Sequence, residues 1–472
     1  MTTLLLYNLF IRKIIVILRC VFNVFDMLLR FAAENIMSFK DSIEFNTFTS
    51  SRSQSHEWHK VNCNGVDALR MSAIYGANGA GKSNLLKCID LLKEMASSDK
   101  LSDLNLKDDL YFKFDPDDML KPSELAIEFF TNNQTFYYHI VFNRKEVIEE
   151  ELFLSGGKED IPIYRRKNND VILTVENIPK EDKNAFIKVF SDAMSRIIRP
   201  DMLVLSFFGN YYSEEFPVVK DAYEWIRKLQ IVLPGKRFGF LVHTFDVNQD
   251  FADMANEILP ELKTGITRLY IKKEVIDEND IDGNPGLRMA IDASKDQPGV
   301  PQMYKKSALS NEICNIVVEN DTIILKSLVA LHMDKNGNEV PMDLEDESDG
   351  TRRLIEYMPL IYSILKGDAV YIVDEIERSI HPILIKSIIS KISESHEAKG
   401  QLIFTTHESC LLDQSIFRPD EIWFAQKDVD QSTQLYPLSD YNIHKTANIE
   451  NGYLNGRYGG IPFLSNLSDL KW

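Results

Sequence analysis

The run Gly76-Ala77-Asn78-Gly79-Ala80-Gly81-Lys82-Ser83 has the residue types and spacing to grip phosphate. It fits the pattern GxxxxGK[ST] and stands between an apolar strand-like run and a stretch of helical periodicity, the context that pattern needs. Gly76, Asn78, Gly79 and Gly81 let backbone N–H groups turn inward around phosphate oxygens at a helix N-terminus. Lys82 then reaches the β- and γ-phosphates, and the Ser83 hydroxyl ligates Mg²⁺. Without the Lys-Ser pair the run would be only a glycine-rich turn ahead of a helix. A second chemical element is Ala369-Val370-Tyr371-Ile372-Val373-Asp374-Glu375, an apolar strand ending in two adjacent carboxylates. Asp374 is placed to hold the Mg²⁺ water shell, and Glu375 to polarise the attacking water as a general base. Strands often end in polar turns, so the pair acquires this meaning from the glycine loop that accompanies it.

These residues must be delivered to one place by elements that the sequence also marks. Residues 28–45 predict two short strands joined through residues 35–41, and residues 67–75 predict a strand running into the glycine loop. The helix expected over residues 83–95 carries Leu85, Leu86, Ile89, Leu91 and Leu92 at helical spacing. Residues 124–130, 135–143 and 147–153 read as further strands separated by turn-prone Asn132-Asn133 and Asn143-Arg144. The middle third shows helical patterns near 180–199, 217–231 and 250–262, then strand-like runs near 267–276 and 315–332. It lacks the sustained heptads of a coiled-coil rod, and reads as an inserted lid or arm. The remainder predicts a helix at 351–365, a strand at 369–374, a helix at 382–395, and strands at 401–405 and 421–427. The expected fold is α/β: a P-loop NTPase with a mainly parallel central sheet, an antiparallel N-terminal subsheet and an inserted mixed α/β lid or arm. The expected division is an apolar extension at 1–26, an N-terminal ATPase half at 27–155, the insertion at 156–342 and a C-terminal half at 343–472.

Two more motifs gain meaning from their order. Glu347-Ser348-Asp349-Gly350-Thr351 stands ahead of a helix shortly before the carboxylate strand. Taken alone it is an N-cap with a turn. It resembles the signature turn of ABC-type ATPases, which implies that Ser348 and Gly350 grip the γ-phosphate bound to the opposite subunit. It departs from that family in beginning with Glu347 where Leu is usual, and no Q-loop residue can be placed. Thr405-Thr406-His407 ends the next strand, where the same family carries a switch histidine that senses the γ-phosphate. Between them Glu377-Arg378-Ser379-Ile380-His381-Pro382 occupies the place of the family's D-loop, which crosses the dimer interface.

The four motifs in this order resemble the ABC-type branch of AAA ATPases that includes RecF-like, SMC-like and OLD-like proteins. Leu29-Arg30-Phe31, residues 35–41 and residues 75–86 resemble the opening of stand-alone prokaryotic ATPases of phage-defence operons, and residues 401–407, 420–424 and 453–462 resemble their close. Within that group the likeness is to ATPase subunits of two-gene abortive-infection systems, PARIS-type and RloA-like. The resemblance implies ATP and Mg²⁺ as cofactors, hydrolysis with Glu375 as base and His407 as sensor, and a homodimer or higher homo-oligomer closing on two nucleotides. It also implies a nuclease or toxin effector and a phage-derived trigger. OLD-like proteins carry their nuclease on the same chain after the ATPase; this chain ends soon after the ATPase motifs, so the effector is expected in trans. An alternative within the same likeness is a RecF- or SMC-like DNA-repair ATPase that binds DNA directly. A transporter's ATP-driving subunit fits least, because a long insertion separates the two ATPase halves.

A formal charge of -18 and a pI near 5.1 oppose non-specific wrapping of nucleic acid, while leaving room for a local basic groove. The clusters Arg165-Arg166-Lys167 and Lys272-Lys273 have acidic or polar flanks and read as solvated faces. The five cysteines, Cys20, Cys63, Cys88, Cys314 and Cys410, form no CxxC pair or zinc spacing, and their odd number suits a reducing cytoplasm. Residues 3–29 are strongly apolar, yet Arg12, Lys13 and Arg19 interrupt them and no small-residue cleavage site follows. An extension upstream of a start at Met27 is expected, without stable membrane insertion.

Overall fold

Burial alternates from Leu29 onward in Met27–Glu34 (β1), which pairs antiparallel with Ile43–Asn46 (β2). The computed structural model describes residues 25–461 except 105, 108, 158, 175–182, 236–240, 277–284, 298–299, 306–312, 320–321 and 445–446. The expected extension over 1–26 therefore lies almost wholly outside the described residues. Lys60–Cys63 (β3) and Val66–Leu69 (β4) form a hairpin whose turn, Asn64-Gly65, has both residues at positive φ, 52° and 92°, as a tight two-residue hairpin requires. The single strand expected over 67–75 is two. Arg70 breaks it, turning its buried guanidinium to the Trp58 carbonyl (3.2 Å) and the Ser395 carbonyl (3.0 Å) before Met71–Gly76 (β5) begins, buried along its whole length. The first helix, Lys82–Ser97 (α1), follows the glycine loop directly.

Ser123–Thr131 (β6), Gln134–Phe142 (β7), Val147–Ser155 (β8), Ile161–Lys167 (β9) and Asp170–Leu173 (β10) form an antiparallel meander. With the first two strands they make a seven-stranded sheet ordered β10-β9-β8-β7-β6-β1-β2, so this sheet runs past residue 155. Lys183–Ile197 (α2), Val204–Tyr211 (α3) and Pro217–Lys228 (α4) follow. The amphipathic face of α4 places Trp225 flat on Phe129, with ring centroids 4.1 Å apart and planes at 7°. Glu150, fully buried, ties the sheet to α3. It accepts from the Val204 and Leu205 amides at 2.7 and 2.9 Å and from the Tyr138 and Tyr164 hydroxyls at 3.1 and 2.9 Å. Burial and that carboxylate hold both phenols well above their ordinary pKa. Arg166, expected on a solvated face, is buried, and its guanidinium caps the chain turn before α3 through the Arg199 carbonyl (3.0 Å) and the Met202 carbonyl. Arg165 and Lys167, its neighbours on the strand, are the solvated ones.

Gln230–Val232 (β11) belongs to the central sheet. A second compact unit comprises Gly235–Ser363 and Glu377–Ile388; the first unit comprises the rest. The second unit holds Leu241–Val247 (α5), Gln249–Glu261 (α6), Arg268–Val275 (β12), Pro285–Asp296 (α7), Gln302–Lys305 (β13), Ile313–Glu319 (β14), Thr322–Met333 (β15) and Glu339–Asp343 (β16). Its sheet runs β12-β15-β14-β13, with β16 added to β15. The single run expected at 315–332 is an antiparallel pair, because Asn315 to Glu319 fold back on Thr322 to Lys326.

Asp349–Lys366 (α8) leads to Val370–Val373 (β17), and Pro382–Glu394 (α9) leads to Gln401–Thr405 (β18). Ile422–Lys427 (β19), Thr433–Pro437 (β20) and Ile449–Leu454 (α10) close the chain's described part. The central sheet is ordered β11-β17-β18-β5-β19-β20; all neighbours are parallel except the last pair. The expected mainly parallel sheet and antiparallel subsheet are both present. Among the described residues no helix is long and apolar enough to cross a membrane.

Glu150→Ala orphans two amides and two phenols inside the first unit. It is expected to destabilise the protein by about 3–5 kcal/mol, read as a lowered midpoint in urea unfolding followed by circular dichroism.

Candidate nucleotide site

The site forms where parallel strands end. β5 stops at Gly76, whose backbone passes so close to the neighbouring strand that a Cβ there would lie 2.4 Å from the Ala425 carbonyl oxygen. Gly81, at φ 104°, caps the start of α1, and an added Cβ would meet the Thr433 hydroxyl at 2.1 Å. Both positions admit only glycine. Asn78 and Gly79 are exposed at the tip of the loop. Lys82 is buried, and its ammonium donates to the loop's own carbonyls, Gly76 at 2.7 Å and Ala77 at 3.2 Å. The loop is thus folded around its lysine, at the head of a 16-residue helix whose dipole favours negative charge.

Ser83 reaches across to the carboxylate strand. Its hydroxyl donates to Asp374 Oδ1 at 3.0 Å, and Thr405, at the end of β18, donates to the same oxygen at 2.5 Å. Thr405 Oγ1 in turn accepts the Glu375 amide at 2.8 Å. Asp374 is 1% exposed, and its second oxygen, Oδ2, is buried with no hydrogen-bond partner among the described residues. A buried carboxylate oxygen left without a donor is costly, and a hard cation is the natural ligand for it. The residues present therefore fit Mg²⁺, held between Ser83 Oγ and Asp374. Glu375 sits at φ 51°, a left-handed conformation that costs an acidic side chain about 1–3 kcal/mol and is tolerated where function demands it. His407 is exposed just beyond Thr406, whose amide is held by the Ile74 carbonyl at 3.1 Å. The glycine loop, Ser83, Asp374, Glu375 and His407 thus all sit on the strand ends of one sheet in the first unit.

Ser348 and Gly350 belong to the second unit. Ser348 is exposed, and its hydroxyl accepts the Thr351 amide at 3.1 Å, capping the N-terminus of α8. Gly350 lies under a neighbouring backbone: a Cβ there would stand 2.7 Å from the Ser379 carbonyl oxygen. The serine turn and the segment 377–382 are therefore packed together within that unit. Glu347, where the resemblance leads one to expect Leu, is buried and meets His332 Nε2 at 2.5 Å. That contact gives the departure from the family pattern a structural reason.

Three contributors escaped the sequence reading. Thr405 lay beside the histidine already singled out, and a hydroxyl at a strand end next to two carboxylates was the available signal. The Thr433 hydroxyl donates to the Ala80 carbonyl at 2.9 Å and its amide donates to the Ser38 carbonyl at 2.8 Å, bracing the glycine loop from two distant segments. Neither Thr433 nor Ser38 carries a pattern that would have revealed this.

A family model described as "AAA domain, putative AbiEii toxin, Type IV TA system" matches residues 71–413. No curated protein matches the sequence. Solved structures similar to the chain include the SmcHead bound to the C-winged helix domain of ScpA, at 13% identity and TM-score 0.41, covering 87% of this chain and 97% of that one. The SMC head domain from Thermotoga maritima is similar at 12% identity and TM-score 0.37, with 88% and 99% covered. The Smc head domain with an extended coiled coil bound to the C-terminal domain of ScpA, derived from Pyrococcus furiosus, matches at 12% and 0.37, with 87% and 96% covered.

Thr405→Val keeps the side-chain shape but removes one of the two hydroxyls donated to Asp374 Oδ1 and orphans the Glu375 amide. Its kcat for ATP is expected to fall on the order of 100-fold, with KM little changed, in a steady-state phosphate-release assay.

Proposed function

The chain belongs to the family described as "AAA domain, putative AbiEii toxin, Type IV TA system", and from that premise we propose that it is an Mg²⁺-dependent ATP hydrolase that works as a dimer. The observation that carries this reading is the hydrogen-bonded chain from Ser83 through Asp374 and Thr405 to the Glu375 amide, set beside the glycine loop. The loop amides and Lys82 bind and orient the triphosphate. Ser83 and Asp374 hold the metal, which when bound neutralises charge on the phosphate oxygens. Glu375, fixed through its amide by Thr405, takes the proton of the attacking water. His407, on the adjacent strand end, contacts the γ-phosphate and reports its loss. Ser348 and Gly350 of a second copy complete each site, Ser348 through its hydroxyl and Gly350 through its amide.

The family's description supports a role in abortive infection. In this reading ATP-driven closing and opening of the dimer holds and releases a separately encoded nuclease or toxin, and a phage-derived signal sets the balance. The insertion assigned to 156–342 would be the lid or arm that meets the effector, and the protein would act in the cytoplasm.

Glu375→Gln is expected to keep ATP binding, lose at least about 100-fold in turnover, and accumulate as an ATP-dependent dimer in light scattering. Adding Ser348→Arg should return it to the undimerised state. Wild-type turnover by Glu375→Gln would remove the base assignment and the mechanism with it. For the effector, the tagged protein co-expressed with the product of its neighbouring gene should retain that product through size exclusion and lose it in Lys82→Ala; toxicity of the chain expressed alone would overturn the partner reading.

A further inference from the structure

The opposite end of the central sheet carries an unassigned pocket of about 510 Å³, within the range of roughly 300–1,000 Å³ typical of small-molecule sites. Its walls come from the first unit alone: the β3–β4 hairpin, the end of α8 and the turn that leads into β18. Lys366, Lys399 and Arg70 immediately precede the parallel strands, so they stand at the strand starts, whereas Gly76, Asp374 and Thr405 stand at the strand ends.

The charge balance is unusual for a chain of formal charge -18. Four cations, Lys60, Arg70, Lys366 and Lys399, line the pocket against one carboxylate, Glu397. Lys60 pairs with Glu57 at 2.8 Å, but Lys366 and Lys399 make no ion pair among the described residues. Arg70 is 2% exposed. Its Nε and Nη2 donate to carbonyls, its Nη1 has no hydrogen-bond partner among the described residues, and no carboxylate touches it, so the buried positive charge at the pocket floor is offset only through space, by Glu421. Desolvation accordingly pushes its pKa below the ordinary value. Beside these cations Trp58 and His396 stack at 4.3 Å and 12°, presenting a planar aromatic face at the rim.

Cations that lack counterions, next to an exposed aromatic plane, recognise a phosphate joined to a base. We propose that this pocket is a second, non-catalytic site for a nucleoside phosphate, either a free nucleotide or the phosphorylated end of a nucleic-acid strand. The phosphate sits between Lys366 and Lys399 over the Arg70 charge, and the base stacks on the open face of the His396–Trp58 pair.

The test uses the full chain carrying Lys82→Ala, which silences the glycine loop, and two probes: mant-AMP and a fluorescein-labelled, 5′-phosphorylated hexathymidylate. Anisotropy should show at least one probe binding, weakened at least tenfold by Lys366→Ala/Lys399→Ala and by Trp58→Ala, and weakened by added salt. Binding of mant-AMP assigns the free nucleotide; binding of the hexathymidylate alone assigns the strand end. The double lysine variant in the otherwise wild-type chain should keep its melting temperature and its ATP turnover, which separates this site from the catalytic one. No binding of either probe at millimolar concentration, or binding that the three substitutions leave unchanged, overturns the proposal.

Discussion

One carboxylate oxygen organises the molecule. Asp374 Oδ1 accepts hydroxyls from Ser83 and from Thr405, and these three residues sit at the ends of different elements. Such a junction exists only if β17, β18 and β5 are neighbours in that order, with α1 starting directly after β5. The sheet order follows, and so does the long interruption between its N-terminal and C-terminal strands. Asp374 is buried, and its other oxygen has no donor among the described residues, which suits this junction to a hard cation.

The same region distributes strain and rigidity unevenly. Glu375 departs from the strand in a left-handed conformation and is held through its amide by Thr405, so backbone geometry helps to set the direction of this carboxylate. In the second unit, Gly350 passes under the Ser379 carbonyl, and Glu347 is pinned to His332. The serine turn is therefore backed by two contacts on its inner side while Ser348 itself points outward to solvent.

The catalytic loop, the carboxylate strand and the framework helices were legible because each has a local signature. A glycine run with Lys-Ser needs no tertiary knowledge, and α1, α4 and α9 each show helical periodicity over three turns or more. What escaped had non-local causes. Arg70 reads as one residue of a continuous strand, and only the carbonyls of Trp58 and Ser395 show why the chain turns there. Arg166 sits in a basic triplet that looks solvated, yet its position opposite buried Glu150 and the turn before α3 takes it inside. The short helices α3 and α5, of 8 and 7 residues, offer too few turns for a period to emerge from the sequence. Thr433 and Ser38 meet the glycine loop from positions 395 residues apart, a relation that no window along the chain contains.

The 291 residues that separate Ser83 from Asp374 bear on how this protein is born. As the nascent chain leaves the ribosome, the antiparallel meander can close early from neighbouring hairpins, but β5 emerges long before β18 and β19 exist to flank it. Until translation has passed residue 405, the glycine loop stands on a strand with two open edges, and one edge stays open until residue 427. Synthesis thus imposes its own safety interlock: a polypeptide broken off by a ribosome stalled before residue 374 carries the glycine loop without the carboxylate pair.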